Sequence, residues 1–349
     1  MRHRLAALAA CTVGFVSAQA EVRPHHGLTA VDGVKVGHHT LSGRPTGCTV
    51  ILTEGGATAG VDVRGGAPGT RETDLLDPSN SVQEVHGIVL SGGSAFGLDT
   101  ASGVMRYLEE KGIGYDMRIV KVPIVPAAVL YDLGFGGKPA IRPTAECGYL
   151  AAKAATDGPV SEGNVGAGAG ATVGKMGGPG RSMKAGIGTA ALTLPDGLTV
   201  AALVAVNAVG DVIDPATGQV VAGVRTEDGK ALADARKLVR AGEVGGRLRT
   251  PRSGENTTIG VVATNALLTK AEARKVAQMA HDGYARAISP AHTPGDGDTI
   301  FALATGARAG EANVSLIGAL AAEVMADAIV RAARQAEGLG GVPAARDLA

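Results

Sequence analysis

The sequence predicts a layered α+β domain with sheets packed together and helices outside. Three observations lead there. Strand-like and helix-like segments are mixed along 349 residues without a regular βαβ repeat, which disfavours a doubly wound parallel sheet. Apolar residues make up 45% of the chain but aromatics only 3%, with no Trp, so the core must be built from Ala, Val, Leu and Ile. The 53 glycines call for many tight turns and close backbone approaches. The length suits one large domain or two small ones, and no low-complexity linker interrupts it.

Residues 1–20 read as an export signal. Arg2 and Arg4 precede an apolar run from Leu5 to Val16, and Ala18-Gln19-Ala20 supplies a small-x-small cleavage site. Leu8-Ala9-Ala10-Cys11 also looks like a lipoprotein box, but six residues separate Arg4 from Cys11 and the apolar run continues past the cysteine. Cleavage after Ala20 is therefore preferred, which predicts a periplasmic or secreted protein. The run is too short for a comfortable transmembrane helix. A net formal charge of zero gives no reason to expect a nucleic acid or an acidic membrane as partner. Cys48 and Cys147 remain after cleavage, enough for one disulfide but not for a disulfide framework. No CxxC or clustered His/Cys pair points to zinc, and the two cysteines read as structural.

Along the chain, Gly47–Glu54 and Thr58–Val63 read as strands, and His86–Leu90 as a short buried strand. A helix from about Ala95 to Lys111 follows, with Leu98, Ala101, Val104, Met105 and Leu108 on one face. Ser94, in Gly92-Gly93-Ser94-Ala95-Phe96-Gly97, lacks a GxSxG elbow and reads as the helix N-cap. Arg118–Val129 is a strand candidate broken by Pro123 and Pro126, and Glu146–Ala155 a short Ala-rich helix. Thr189–Leu194 and Leu198–Val206 form a hairpin around Pro195-Asp196-Gly197. Glu227–Arg240 reads as a charged amphipathic helix, and Ala241–Asn256 as an exposed, basic, glycine-rich connection. Beyond it come a strand at Thr257–Asn265 and a helix to about Ala287, opened by the capping box Thr269-Lys270-Ala271-Glu272. A strand at Thr299–Thr305 and a helix at Val314–Arg334 close the chain.

The sharpest chemical signal is the change from polar to apolar sequence at Asn256-Thr257-Thr258-Ile259. A hydroxyl at the first residue of a buried strand has little structural purpose. If the chain is cut before Thr257, the freed α-amine and the hydroxyl share one residue, which becomes both base and nucleophile. An α-amine titrates at about 7.7–8.0, far closer to neutrality than a lysine amine. Taken alone, the two threonines are equally ordinary β-branched strand residues.

Other segments carry weaker signals. Gly166–Met176 nearly matches a P-loop, but Gly174-Lys175 is followed by Met176, which offers magnesium no hydroxyl. What survives is a glycine-rich segment delivering Lys175. Asp296-Gly297-Asp298 places two carboxylates before a strand. An EF-hand would need more oxygen ligands, whereas an Asp here could orient an amine or a hydroxyl. Asn207, at the end of an apolar strand, could donate its amide to a developing oxyanion. The histidines are scattered, and no Ser/His/Asp triad can be argued.

These items fall into one pattern. Asn256-Thr257-Thr258-Ile259 with the downstream Val-Ala-Thr-Asn resembles the self-cleavage site of the DmpA-type aminopeptidase family. That family comprises L-aminopeptidase/D-amino-acid esterases, β-peptidyl aminopeptidases and nylon-oligomer endo-hydrolases. The resemblance extends through Val63-Arg64-Gly65-Gly66, Leu90-Ser91-Gly92-Gly93-Ser94-Ala95-Phe96-Gly97-Leu98, the Tyr131 region, the Lys175 segment and the Asp-Gly-Asp turn, nearly the whole mature chain. It is closest to the nylon-oligomer branch, whose nucleophile is Thr preceded by Asn. The aminopeptidase branch has Gly-Ser there, and Ser-Gly-Glu in place of Asp296-Gly297-Asp298.

The resemblance implies a four-layer α/β/β/α sandwich of the self-cleaving N-terminal nucleophile type, a single hydrolase domain over 21–349. An α-chain (21–256) and a β-chain (257–349) would pair, and the pairs would assemble into a homo-oligomer. Thr257 would be the nucleophile and its amine the base, with the cut between Asn256 and Thr257. Lys175 would sit beside it, Asn207 would serve the oxyanion, Asp296 and Asp298 would orient amine and hydroxyl, and Tyr131 would line the pocket. A small peptide or oligoamide would be the substrate, and no metal or organic cofactor is implied. Two alternatives stand beside this one: an acetyltransferase of the ornithine type, which resembles the family in nucleophile and architecture, and a non-catalytic periplasmic binding protein.

Overall fold

A computed structural model describes residues 27–242 and 255–348; the expected leader and most of the connection at 241–256 lie outside them. Among the described residues, nine strands share one hydrogen-bonded network. They are β1 (Lys35–Thr40), β2 (Gly47–Val63), β3 (Thr70–Arg71), β4 (Glu84–Ser91), β5 (Ala127–Val129), β6 (Ile187–Thr193), β7 (Thr199–Asn207), β8 (Thr257–Thr264) and β9 (Thr299–Ala304). The helices are α1 (Thr100–Glu110), α2 (Ala145–Lys153), α3 (Ala235–Ala241), α4 (Lys270–Ala287) and α5 (Val314–Gln335). The strand order is β6-β7-β8-β9-β2-β4-β5-β3, with β1 added against β2.

The network folds over on itself through β2. Two strands were expected here, but the chain forms one strand of 17 residues with a register shift between Leu52 and Ala57. Gly56 takes φ 85° at that bend, a conformation glycine reaches without a Cβ penalty. The first half of β2 pairs with β1 and β4, and the second half with β9. The two halves of the sheet thus face each other across a core that includes Ile51, Ile88, Leu90, Leu203, Ile259, Val261 and Phe301. Helices α4 and α5 pack on the outer face of one half, against Val200, Ala202, Val204, Val262 and Ile300. Helices α1 and α2 cover the other half, against Cys48, Val50, Leu52 and Val89. The expected α/β/β/α order is therefore observed, with one continuous folded sheet supplying both β layers.

Local signals explain most elements. Thr269 and Glu272 form the expected capping box of α4, and β6 and β7 pair as the expected antiparallel hairpin around Gly197. Cys48 and Cys147 are joined by a disulfide that ties β2 to α2. No helix among the described residues is long and apolar enough to cross a membrane.

Three expectations need correction. The helix predicted from Ala95 is a 3-10 turn over Ser94–Asp99 that becomes α1 only at Thr100; Ser94, at φ 55°, is the first residue of that turn, and the N-cap position of α1 is Asp99. Arg118–Val129 is extended only at Lys121–Val122 and at β5, because its prolines lack the N–H a ladder needs. Glu227–Arg240 is helical only from Ala235, where Asp234 caps α3 by accepting from the Arg236 N–H. Its first half is a turn bridged between Arg225 and Leu232.

Helices α1 and α2 cross closely. A Cβ added at Gly148 in α2 would strike the Thr100 carbonyl, whose carbon would lie 2.8 Å away. Intrinsic propensity favours Ala over Gly inside a helix by about 1 kcal/mol, while overpacking costs about 1–3 kcal/mol. Gly148→Ala should therefore destabilise the protein, read as a lower urea midpoint; a raised midpoint would show that propensity outweighs the close crossing.

Candidate active site

Strand pairing brings the expected residues together. Asn207, the last residue of β7, lies directly opposite Thr257, the first residue of β8. Directly opposed residues of an antiparallel pair project from the same face, and alternation from Leu203, Ala205 and Ile259 turns both towards the core between the sheet halves. Thr257 and Asn256 are each only 2% exposed, so this end of β8 is shielded from water. The Thr257 hydroxyl donates to the carbonyl oxygen of Asn256. That same carbonyl accepts the backbone N–H of Gly297 at 2.9 Å.

Lys175 reaches the site from the glycine-rich segment. Its Nζ donates to the Asn207 side-chain oxygen at 2.7 Å, to the Asn207 backbone carbonyl at 2.9 Å and to the Glu255 carbonyl at 3.2 Å. Enclosure of the ammonium pulls Lys175 down to about 7, against the opposing pull of Asp296, Glu255 and Asp132. The Asn207 oxygen also accepts the Thr172 N–H at 3.1 Å. The Asn207 amide NH₂ donates to the Tyr131 carbonyl at 2.9 Å. Asn207 was expected to face an oxyanion, but the N–H aimed at the Asn256 carbonyl belongs to Gly297. Tyr131 meets the site through its backbone carbonyl.

The Asp-Gly-Asp turn closes the other side. Asp298 Oδ1 accepts the Thr258 N–H at 2.7 Å, one residue beyond the candidate nucleophile. Asp296 Oδ2 accepts the Thr293 N–H at 2.7 Å, while its Oδ1 is buried without a partner. Burial, followed by the neighbouring Asp298, raises Asp296 to about 6. Gly297 fits because a Cβ there would lie 2.8 Å from Thr257 Oγ1. The Val63-Arg64-Gly65-Gly66 segment lies against this turn: the N–H groups of Arg64 and Gly65 donate to the Asp298 carbonyl, and Ala67 donates to the Asp296 carbonyl.

Sequence reasoning missed a second tier of buried charge. Asp132 accepts from Arg44 Nη2 at 2.9 Å and from the Gly93 N–H at 2.9 Å, and both side chains of this ion pair are fully buried. Lys184 donates to the carbonyls of Ala169 and Ala171. Desolvation pulls Lys184 down to about 7. The glycine-rich segment is thus held by a lysine on its carbonyls, and Ser91-Gly92-Gly93 by a carboxylate on its amide. No motif marks Lys184; Asp132 could have been suspected only from its place beside Tyr131.

Comparisons with known proteins agree with this architecture. The description "Peptidase family S58" matches residues 26–346. A Mycobacterium leprae protein described as an uncharacterized aminopeptidase is 46% identical over 348 residues, covering 92% of this chain and 93% of that one. A 6-aminohexanoate-oligomer endohydrolase of Kocuria sp. is 33% identical over 313 residues, covering 86% and 84%. Among solved structures, the L-aminopeptidase D-Ala-esterase/amidase of Ochrobactrum anthropi, described as a variant of the Ntn-hydrolase fold, superposes with a TM-score of 0.66 at 22% identity, covering 93% of this chain and 90% of that one. A Burkholderia sp. β-aminopeptidase gives 0.64 at 24% identity, covering 93% and 92%. The fold is that of this Ntn-hydrolase variant.

The lowered Lys175 has a thermodynamic consequence. Between about 7 and its ordinary value of 10.5, the unfolded chain binds a proton that the folded chain does not. Stability therefore rises with pH through that window, and the cost of burying the charge is complete below it. Comparing wild-type Lys175 with Lys175→Met, both in a Thr257→Ala background, urea titrations should move in favour of the lysine from pH 7 to pH 10. A difference that stays flat over that range would refute the lowered value.

Proposed function

This chain belongs to peptidase family S58, and on that premise we propose that it is an enzyme that cuts its own chain before Thr257 and then hydrolyses amide bonds in small peptides or oligoamides. Family membership favours hydrolysis over the acetyltransferase and the non-catalytic binder. One observation carries the reading: the Thr257 hydroxyl rests against the carbonyl of Asn256 while the Gly297 N–H holds that carbonyl from outside. A nucleophile and a backbone donor thus converge on one peptide bond.

In the proposed cycle, Thr257 Oγ1 attacks the carbonyl carbon of Asn256, and the acyl group passes from nitrogen to oxygen. The hydroxyl proton is transferred to the departing nitrogen, which becomes the α-amine of Thr257. Water then cleaves the ester, leaving Asn256 with a carboxylate. In the mature enzyme that amine takes the hydroxyl proton, the oxygen attacks the substrate amide, and the amine protonates the leaving nitrogen. Water releases the acyl group. Lys175, lowered to about 7, carries charge only in part near neutral pH, and that charged fraction disfavours a second positive charge on the α-amine. Asp298 fixes the backbone through Thr258, and Asp296 provides a carboxylate oxygen for the new amine.

The proposal also includes an α-chain over 21–256, a β-chain over 257–349, assembly of these pairs into a homo-oligomer, and export to the periplasm or beyond. The Cys48–Cys147 disulfide supports export, because such bonds persist in oxidising compartments.

Wild-type protein on a denaturing gel should give two chains, the smaller beginning at Thr257 by N-terminal sequencing. Thr257→Ala should give one uncut chain and no hydrolysis of amino-acid p-nitroanilides or 6-aminohexanoate oligomers. Two chains from that variant would end the proposal.

A further inference from the structure

Behind Asp298 lies a group of aromatic and imidazole rings that the proposed cycle does not use. His292 Nδ1 lies 2.9 Å from Asp298 Oδ2, and the His292 backbone N–H donates to the same oxygen at 3.0 Å. The other carboxylate oxygen of Asp298 accepts the Thr258 N–H. Both Asp298 oxygens already accept backbone N–H groups, so Asp298 acts as the acceptor and Nδ1 of the imidazole as the donor. The Nε2 atom of His292 is buried without a partner, which fits a ring that donates from Nδ1.

The ring has little freedom to turn away. It stacks on Tyr284 with centroids 5.7 Å apart and an interplanar angle of 22°, and it meets the edge of His281 at 4.8 Å. Tyr284 and His281 both belong to α4. His281 is anchored in turn, with Nε2 3.1 Å from the Asp62 carbonyl in β2. Burial pulls His281 down to about 4, so it packs as a neutral ring. His292 itself takes φ 57°, a left-handed conformation uncommon outside glycine and seen more often for Asn, Asp and His. A strained backbone, a two-ring clamp and a hydrogen bond therefore all converge on one carboxylate.

We propose that His292 is a positioning residue: by donating from Nδ1 to Asp298 it locks that carboxylate onto the Thr258 N–H and so fixes the residue bearing the reacting hydroxyl. Its kinetic consequences rest on the self-cleavage reading above, whereas the hydrogen bond to Asp298 does not. The chain of contacts runs from α4 through His292 and Asp298 to the first peptide group of β8. A nucleophile displaced by about 1 Å can lose about a hundredfold in rate, so a side chain that touches no substrate can still set the rate.

Two substitutions separate the ring's hydrogen bond from the backbone's needs. Glycine relieves the positive φ and keeps the backbone N–H on Asp298 but has no side-chain donor; asparagine tolerates positive φ and carries an amide donor where Nδ1 lies. His292→Gly should slow self-cleavage on a denaturing gel by about 10- to 100-fold and lower kcat more than KM changes. His292→Asn should restore both rates towards wild type. Glycine and asparagine variants that cleave alike would overturn the proposal, whether both are fast or both are slow. If the glycine variant does not fold, selectively labelled wild-type protein decides by NMR: a proton on Nδ1 of His292 supports the proposal, and a ring whose Nδ1 carries none overturns it. Wild-type protein that stays uncut would remove the self-cleavage reading, and the tautomer measurement would still test the Asp298 contact.

Discussion

The site depends on the register of β7 against β8. Asn207 opposite Thr257, and Ile259 beside Thr299 in the parallel pair of β8 and β9, bring the strand end, the amide and the Asp-Gly-Asp turn together. A one-residue slip would send Thr257 to the helix face and Thr258 to the core, because side chains alternate with a period of two. Packing forbids that slip. Gly260 faces α4 and α5, where a Cβ would lie 3.0 Å from both Met325 Cε and the Tyr284 hydroxyl, while Ile259 and Val261 fill the core between the sheet halves. The whole of β8 is buried. The position of one hydroxyl is therefore specified by the apolar pattern of the strand that follows it.

Around that strand end, charge is buried to an unusual degree for a domain this rich in Ala and Val. Arg44, Lys184, Asp132, Asp296 and Asp298 are each at most 3% exposed. Isolated, such groups would cost several kcal/mol apiece. Here most of their polar atoms are matched: Arg44 and the Gly93 amide on Asp132, two carbonyls on Lys184, and the Thr258 and His292 amides on Asp298. The exception is Asp296 Oδ1, beside the candidate nucleophile. Burial and then the neighbouring Asp298 raise Asp296, and in the proposed cycle its free oxygen is the acceptor for the new α-amine.

Much of this was legible because local and tertiary preferences agree. The capping box at Thr269, the Pro195-Asp196-Gly197 hairpin and the apolar run after Asn256 each follow from short-range chemistry and survive in the fold. The four-layer order and the site residues came from the family resemblance, since mixed strands and helices fit several layered folds. What was missed needed long-range information. Gly55-Gly56 reads as a break between strands, yet it is a bend within β2, because β4 and β9 continue the pairing on either side. The charged spacing in Glu227–Arg240 suits an amphipathic helix, but Gly229 turns the chain at φ 72° and only Ala235–Ala241 is helical. Lys184 and His292 carry no motif, and their partners lie on other segments of the chain. The Gly297 donor was hidden inside a recognised motif, where attention fell on the two carboxylates rather than on the amide between them.

The donor to the Asn256 carbonyl is therefore a backbone group, and that choice has a consequence for the proposed chemistry. A backbone N–H cannot be altered by substitution of its own side chain; its aim depends on the Asp296–Asp298 turn, which the Arg64, Gly65 and Ala67 amides brace through its carbonyls. In the proposed cycle the same donor serves two amide bonds, first the one before Thr257 and later one brought in by a substrate. The substrate's carbonyl carbon must occupy the place of the Asn256 carbon, since Thr257 Oγ1 and the Gly297 N–H fix it from two sides. Under that proposal the acyl portion of a substrate would take the place of Glu255 and Asn256, next to Lys175, which contacts the Glu255 carbonyl. On this view the uncut chain is a template for its own acyl subsite, and an acyl group that offers a carbonyl where Glu255 offered one meets a donor already in place.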